Sequence, residues 1–216
     1  MPRTCKLRNH PRRDGIHRGG KRVVAIGSKS GAFMLLDAHT IAQLHRRNML
    51  PRDAVTSGPL PGVDTTGAGG GENLWGVFGT PAVHYGTHRL FVGVGGYSGI
   101  GDKQVTPFLR ALDWHTLHDA WPTAVQTIGA NQVSKYTTAS PPMYTTDESG
   151  LSSPAVVNDV VFVSTNKAAL YAFDVNSGHC LWAAPALASG KFVLGPVIYG
   201  NHVIVGAGSA VFIYSM

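Results

Sequence analysis

The sequence predicts an all-β fold built from short strands and tight turns. Its 216 residues include 27 glycines and 13 prolines, while only 14% of the residues are charged. This composition favours many short strands over a helical bundle. The apolar fraction of 44% is enough for a buried core in one large or two small domains. A further observation is that one strand pattern recurs along the chain.

The repeated unit contains two apolar strands, a third strand that ends in Asp, and a turn followed by an aromatic residue. The clearest copy contains, in order, Ser153-Pro154-Ala155-Val156, Val160-Val161-Phe162-Val163, Leu170-Tyr171-Ala172-Phe173-Asp174, Ser177-Gly178 and Trp182. Pro154 in this copy and Pro196 in the last are 42 residues apart. A four-stranded propeller blade has about 40–45 residues. The pattern therefore predicts a partial β-propeller of about three and a half blades; a β-sandwich or a β-solenoid is the alternative.

The repeat divides the chain into blades, loops and a leader. We expect a basic, disordered leader over residues 1–22 and blades over residues 23–45, 80–121, 152–182 and 195–216. Residues 46–79 and 122–150 are rich in Pro, Gly, Ser and Thr, and we interpret them as long loops between blades. Loops of this length usually have a purpose, so they are candidates for function or partner contact.

Two positions of the unit have a predicted structural role. The Asp after the third strand, with Thr or Ser and Gly in the next turn, provides side-chain hydrogen bonds and a positive-φ position for a tight hairpin. The closing Trp, Trp121 in the second copy and Trp182 in the third, is expected to pack between neighbouring blades. His45 stands at that position in the first copy.

The positive charge of the chain is concentrated at its start. Residues 1–22 carry eight Lys or Arg and one Asp, whereas the remainder carries ten basic and eleven acidic residues. A near-neutral body offers no basic face to a nucleic acid backbone, so we expect no nucleic acid partner. No window of about 18 apolar residues exists, so no membrane span is predicted. Cys5 and Cys180 form neither a disulfide framework nor a metal-ligand spacing.

The repeat resembles that of the quinoprotein alcohol dehydrogenases, whose propellers repeat Ala-x-Asp-x-x-Thr-Gly-x-x-x-Trp and carry pyrroloquinoline quinone on the ring axis. Ala172-Phe173-Asp174 through Ser177-Gly178 to Trp182 fits that pattern with Ser in place of Thr. Ala111 through Thr116 to Trp121 fits it with Leu117 where Gly is usual. The resemblance runs from about Val23 to the last residue and corresponds to the C-terminal part of that superfamily, which also includes scaffolds that bind no quinone.

The resemblance implies three cofactor-binding candidates. Residues 29–37 look like the family segment in which a basic residue contacts the quinone oxygens, which makes Lys29 the first candidate. An ammonium group there would stabilise negative charge on those oxygens; the alternative is an exposed turn lysine. Residues 70–76 come close to the family's Asn-Trp segment, with Leu74 inserted, and provide Asn73 as a hydrogen-bond partner and Trp75 as an apolar wall. Trp75 packed between blades is the alternative.

Two functions follow as hypotheses. In the first, the chain contributes part of a quinone site to a dehydrogenase acting on a small alcohol, although the family's catalytic Asp and calcium ligands are not found in this sequence. In the second, the propeller is a non-catalytic scaffold for protein–protein binding. The resemblance implies a periplasmic or extracellular location.

An incomplete ring also predicts association. Propellers close at about four to eight blades, and an open array leaves unpaired edge strands at both ends. We therefore expect a companion polypeptide that supplies the missing blades, or self-association. The leader matches nothing in the repeat and abuts the first strand abruptly, which suggests a shifted or truncated start.

Overall fold

The computed structural model describes residues 16–18, 21–28, 31–49, 77, 79–94, 97–98, 104–105, 108–121, 125–126, 152–165, 169–184 and 195–216. These residues form antiparallel sheets joined by turns, and four of the sheets have three or four strands. Within these ranges, no helix has the length and hydropathy that crossing a bilayer requires. The predicted all-β fold is confirmed.

The first and second sheets each contain four strands, in the orders β1-β2-β3-β4 and β10-β9-β6-β5. The first comprises β1 (Ile16–Arg18), β2 (Lys21–Gly27), β3 (Ala32–Asp37) and β4 (Gln43–Asn48). The second comprises β5 (Ala82–His84), β6 (Arg89–Val94), β9 (Phe108–Asp113) and β10 (Val125–Gln126). A separate hairpin of β7 (Tyr97–Ser98) and β8 (Gln104–Val105) lies between β6 and β9 in sequence. Apart from this inserted hairpin, strands that are consecutive in sequence are neighbours in the sheet, as sequential antiparallel strands usually are.

The third sheet repeats this arrangement, and the fourth has three described strands. The third, in the order β11-β12-β13-β14, comprises β11 (Ala155–Val157), β12 (Val160–Ser164), β13 (Leu170–Asp174) and β14 (Cys180–Ala184). The fourth comprises β15 (Val197–Tyr199), β16 (His202–Ala207) and β17 (Ala210–Ser215). Four-stranded antiparallel meanders of this size match the blades of a β-propeller. The first and third sheets even share a register shift between their last two strands, at Leu35/Leu36 and Ala172/Phe173.

The sheets stack face to face in chain order, with one apolar cluster between each neighbouring pair. Phe33 and Leu35 of the first sheet pack with Leu90 of the second, and Phe91 of the second packs with Val161 of the third. The third and fourth sheets meet through a cluster of Phe162, Leu170, Ala172, Ala184, Val203 and Val205. Successive residues of a strand point to opposite faces, so a sheet covered on both sides needs wholly apolar strands. This explains the runs Leu90-Phe91-Val92 and Val161-Phe162-Val163.

The sheet boundaries differ from the predicted ones at the outer strands. The first sheet begins at Ile16, inside the predicted leader, because Ile16, His17 and Arg18 pair with Val23, Arg22 and Lys21. Gly19-Gly20 stands between the two strands in sequence, and Gly-Gly is typical of a hairpin turn. The high charge of residues 1–22 nevertheless led to the prediction of a leader. β4 continues to Asn48, beyond the predicted blade end at residue 45, and β10 lies inside the predicted loop 122–150. Short polar edge strands lack the apolar alternation that identifies the inner ones.

Candidate functional site

The three predicted quinone contacts, Lys29, Asn73 and Trp75, lie outside the described residues. Their nearest described neighbours in sequence are Ser28, Gly31 and Val77. The carbonyl oxygen of Ser28 accepts hydrogen bonds from the backbone amides of both Gly31 and Val77, each at 3.0 Å. Gly31 has a φ of 79°, a conformation that glycine adopts without strain. Ser28 is therefore joined by backbone hydrogen bonds to Gly31 and to Val77.

Side-chain packing reinforces this junction at the end of β2. Val77 is buried in the cluster between the first and second sheets. A Cβ atom added to Gly27 would lie 2.1 Å from Val77 Cγ1 and 2.4 Å from Val77 Cβ. Since real Cβ atoms do not approach other carbons so closely, Val77 and a side chain larger than hydrogen at position 27 exclude each other.

The predicted Asp turn is present in all three four-stranded sheets. The carboxylates of Asp37, Asp113 and Asp174 each accept backbone hydrogen bonds from the residues two and three positions later. The residue four positions after each Asp has a positive φ: 58° at Ile41, 60° at Leu117 and 75° at Gly178. Its amide donates to the carbonyl of the Asp in every case. The turn is an Asx-type motif that closes the hairpin to the outer strand.

Hydrogen bonding alters the acidity of two of these carboxylates. The hydroxyl of Ser177 donates to Asp174 at 2.7 Å, and this bond, helped by the amides of Ser177 and Asn176, lowers the pKa of Asp174. Burial alone would raise the pKa of Asp113, but the donors from Thr116 and His115 outweigh it and lower that pKa. Both groups are therefore ionised acceptors within turns, which is a structural role.

Replacing Ile41 by Gly is expected to stabilise the protein by about 1 kcal/mol. Ile41 is 62% exposed, so its side chain contributes little burial, and its φ of 58° is unfavourable for a β-branched residue. Ile41→Ala is the matched control, because it shortens the side chain but retains the Cβ that causes the strain. Urea unfolding of both variants measures the effect. A Gly variant no more stable than the Ala variant would contradict the expectation.

The closing tryptophans lie between neighbouring sheets, as predicted. Trp121 is buried, its ring centroid is 5.3 Å from that of Phe91, and its indole N–H donates to the carbonyl of Val175 in the next sheet at 2.9 Å. Trp182 packs edge-on against Tyr214 of the fourth sheet with ring centroids 5.1 Å apart, yet it is 40% exposed. Each ring thus spans an interface between two sheets.

Two arginines also link neighbouring sheets near the Asp turns. Arg47 of β4 donates to the Leu117 carbonyl and forms an ion pair with Asp119, which also binds Arg110 at 2.8 Å. Arg89 of β6 donates to the backbone carbonyls of Val175 and Asn176 in the third sheet. Each arginine thus joins a strand of one sheet to the turn region of the next sheet. The open cavity of about 420 Å³ beside Arg46, Arg47 and Asp119 belongs to this surface.

An aromatic cluster at the first Trp-bearing turn was not identified from the sequence. The rings of Trp114 and His88 stack with centroids 4.7 Å apart, and Tyr85 meets Trp114 edge-on. The Trp114 indole N–H donates to His115 Nε2 at 2.6 Å. Trp114 is buried in the cluster between the first and second sheets, so these side chains fill the interface. Within the described ranges no group of three or more His, Cys, Asp or Glu is placed to hold a metal ion.

The outer face of the fourth sheet is apolar and uncovered by any described residue. Register places Val197, Ile204 and Ile213 in one row across its three strands. Ile213 is 64% and Tyr199 76% exposed, and Val211 is exposed beside them. We call the outer surface of Val197, Tyr199, Ile204, Val211 and Ile213 the fourth-sheet face. The signal in the sequence was the apolar run from Ala210 to Tyr214 in β17, which indicates a strand to be buried on both faces.

The outer side of the first sheet is likewise uncovered by the part of the chain that the structure describes. Val24 lies opposite Leu36 and Ile26 opposite Met34, so these four side chains share one face. Val24 and Ile26 are exposed, and Met34 and Leu36 are half-buried. We call these four residues the first-sheet face. The ends of the stack therefore expose sheet faces, whereas the sequence predicted exposed strand edges. The reason is that the sheets join through their faces, with strand pairing confined within each sheet.

Comparison with curated proteins gives a local similarity. No family model matches the chain. The outer membrane protein assembly factor BamB of Xanthomonas campestris pv. campestris is 34% identical over 65 residues, which are 30% of this chain and 16% of BamB. The match therefore spans a small part of that relative.

Comparison with solved structures identifies the fold. The β-propeller domain of Cps50 (Swd1) from Myceliophteria thermophila has a TM-score of 0.50 at 12% identity, with 86% of this chain and 45% of that domain covered. Saccharomyces cerevisiae Sqt1 has a TM-score of 0.52 at 13% identity, with 90% of this chain and 40% of Sqt1 covered. The computationally designed Ika4 protein has a TM-score of 0.53 at 12% identity, with 90% of this chain and 85% of Ika4 covered. The chain has the fold of a partial β-propeller and corresponds to less than half of the Swd1 propeller domain.

Proposed function

We propose that this chain is a β-propeller scaffold that binds protein through the exposed apolar face of its last sheet. The observation that carries the proposal is the fourth-sheet face, where Tyr199, Val211 and Ile213 are exposed together on strands whose alternate residues are half-buried. Contiguous exposed apolar surface of this kind marks protein interaction sites. The first three sheets bury the corresponding faces against neighbours, so the fourth-sheet face is shaped to receive another sheet.

The comparisons support a binding role. BamB is named as an assembly factor, and its similarity to this chain extends over 65 residues. The side chains that the sequence singled out in the repeat, namely the Asp turns and the tryptophans, form hydrogen bonds and packing contacts within the fold. Function then rests on surfaces that the propeller presents rather than on the repeat positions themselves.

Site-specific photo-crosslinking tests the scaffold proposal. A photoreactive residue at position 213, in the full chain expressed in its own cells, is expected to form a discrete cross-link to a protein. Position 41 is the matched control, because Ile41 has the same side chain and nearly the same exposure, 62% against 64%, but lies in a turn. Cross-links at 213 and none at 41 support the proposal. Absence of protein cross-links at 213, or equal cross-linking at 41, overturns it.

Quinone binding is a second candidate function, favoured by the junction at Ser28. The hydrogen bonds from Gly31 and Val77 to the Ser28 carbonyl join the two stretches of chain that flank the predicted contacts. Lys29, Asn73 and Trp75 would then hold pyrroloquinoline quinone through an ammonium group, an amide and an aromatic wall. The bound quinone would supply an electron-pair acceptor for alcohol oxidation, and Lys29 would stabilise negative charge on its oxygens.

Titration of the full chain with pyrroloquinoline quinone, with and without calcium, tests this second candidate. Saturable binding followed by quinone absorbance and fluorescence is expected for the unmodified chain. Lys29→Ala is expected to weaken it by about 10- to 100-fold, since one charge-assisted contact is worth about 1.5–3 kcal/mol. Arg46→Ala removes an exposed cation from β4 and serves as the control. Absence of saturable binding, or equal affinities of the Lys29→Ala variant and the unmodified chain, excludes a quinone site of this composition.

A further inference from the structure

The contacts between the sheets of this chain all follow one rule. At each of the three interfaces, alternate residues of wholly apolar strands face the next sheet, as Val92 faces the first sheet and Phe91 the third. The same alternation continues at both ends of the stack. Val203 and Val205 are buried against the third sheet, whereas Ile204 belongs to the uncovered fourth-sheet face. The end faces thus continue the same alternation of side chains, and the first-sheet face also has the exposed Arg46 beside Met34.

The two end faces do not cover each other within one chain. Ile26 of the first-sheet face and Ile213 of the fourth-sheet face are both exposed. If the four sheets closed into a ring on their own, these faces would be in contact and buried as the internal ones are. Among the described residues the stack is therefore open, and a further sheet at each end would remove its apolar surface from water.

We propose that the missing sheets are those of a second copy of this chain, with the fourth-sheet face of each copy packed on the first-sheet face of its partner. This inference rests on the proposed function and specifies its partner. Two such contacts, related by a two-fold axis along the ring axis, close a ring of eight sheets. Contacts between unlike surfaces form closed rings when the rotation per subunit allows closure.

The size of the chain favours a second copy as the occupant. It covers 45% of the Swd1 propeller domain, so two copies approach the extent of one complete propeller. Two copies of four sheets also fall within the range of about four to eight blades at which propellers close. The new contact continues the series of sheet-on-sheet contacts already present three times in the chain.

A charge-swap experiment with the full chain tests both the dimer and its geometry. Ile213→Lys places a cation on the fourth-sheet face, and Ile26→Glu places an anion on the first-sheet face. Each variant alone would bury an unpaired charge at both contacts, so we expect dimerisation to weaken by about 100-fold. In an equimolar mixture, one contact pairs Lys with Glu and the other is unmodified, so dimers are expected to form again. Val211→Lys on the fourth-sheet face and Val24→Glu on the first-sheet face form a second pair of variants for the same test.

Sedimentation velocity measures the mass of each sample, and circular dichroism confirms that each variant keeps its β structure. The proposal predicts a dimer for the unmodified chain, monomers for each variant alone and dimers for the mixture. A monomeric unmodified chain, an open-ended series of larger species, or a dimer that persists in Ile26→Glu overturns it. A mixture that stays monomeric while both variants are folded overturns it as well.

The cross-linking experiment separates failure of this inference from failure of the scaffold proposal. If position 213 cross-links to residues of the first-sheet face of another copy, both stand. If it cross-links to a different polypeptide and the purified chain is monomeric, the scaffold proposal stands and the second copy is excluded. If it cross-links to no protein, both fail.

Discussion

Replacing Trp121 by Ala is expected to lower the free energy of unfolding by about 4 kcal/mol. The indole is buried between the second and third sheets, where it packs on Phe91 and donates to the Val175 carbonyl at 2.9 Å. Truncation leaves a cavity within a close-packed interface and removes the donor from a buried carbonyl. Loss of a large buried aromatic side chain typically costs about 3–5 kcal/mol.

Trp182→Ala provides the matched control for this prediction. Trp182 occupies the equivalent place in the next copy of the repeat, but it is 40% exposed and packs against Tyr214 at the edge of the interface. We expect Trp182→Ala to lower the free energy of unfolding by less than half as much as Trp121→Ala does. Chemical denaturation of the two variants and the unmodified chain measures the difference. Equal losses would show that burial between sheets does not determine the contribution of the repeat tryptophan.

Gly27→Ala is expected to destabilise the protein by about 3 kcal/mol. The added methyl group would lie 2.1 Å from Val77 Cγ1 and 3.1 Å from the Val77 carbonyl oxygen. Val77 is branched at Cβ and buried, so neither rotation nor displacement relieves the overlap cheaply. Overpacking of this kind usually costs about 1–3 kcal/mol, and this contact is at the severe end.

Val77→Gly should rescue that loss. Removing Val77 Cβ and Cγ1 removes the overlapping atoms, so Gly27→Ala is expected to cost less than about 1 kcal/mol in the Val77→Gly background. A double-mutant cycle by urea unfolding gives the coupling between the two positions. Additive losses would refute the close packing of Gly27 on Val77, and with it the junction that supports the quinone candidate. Gly86→Ala is the control, because Gly86 lies in the β5–β6 turn and the three atoms nearest to its added methyl all belong to the His84 ring, at 3.2 Å or more.

Much of the fold could be predicted because its repeat is local. Strand alternation, the Asp turn and the spacing to Trp182 each depend on neighbours within a few residues. The positive φ at the fourth position after Asp is the same in all three turns, although two of them have Ile41 and Leu117 where Gly178 stands in the third. The hydrogen bonds of the turn thus impose the conformation even where the side chain disfavours it.

The outer strands were harder to predict, since they lack such a signal. β1 combines one apolar residue with His17 and Arg18, and β10 has two residues. Both were included in predicted leader or loop, and it is pairing with the adjacent strand that makes them part of a sheet. The predicted contacts Lys29, Asn73 and Trp75 remain predictions that rest on the family resemblance.

The sequence by itself determined the all-β class, the propeller blade and the turn chemistry, because these follow from side-chain period and short-range hydrogen bonds. Only the tertiary structure decided which apolar faces are covered. Val203 and Ile213 belong to equally apolar strands, yet one is buried and the other exposed. The difference depends on whether another sheet lies opposite, which is a relation between residues far apart in the chain, or in different chains. The periodicity of a strand sequence shows that one of its faces is apolar. Which residues cover that face depends on tertiary packing.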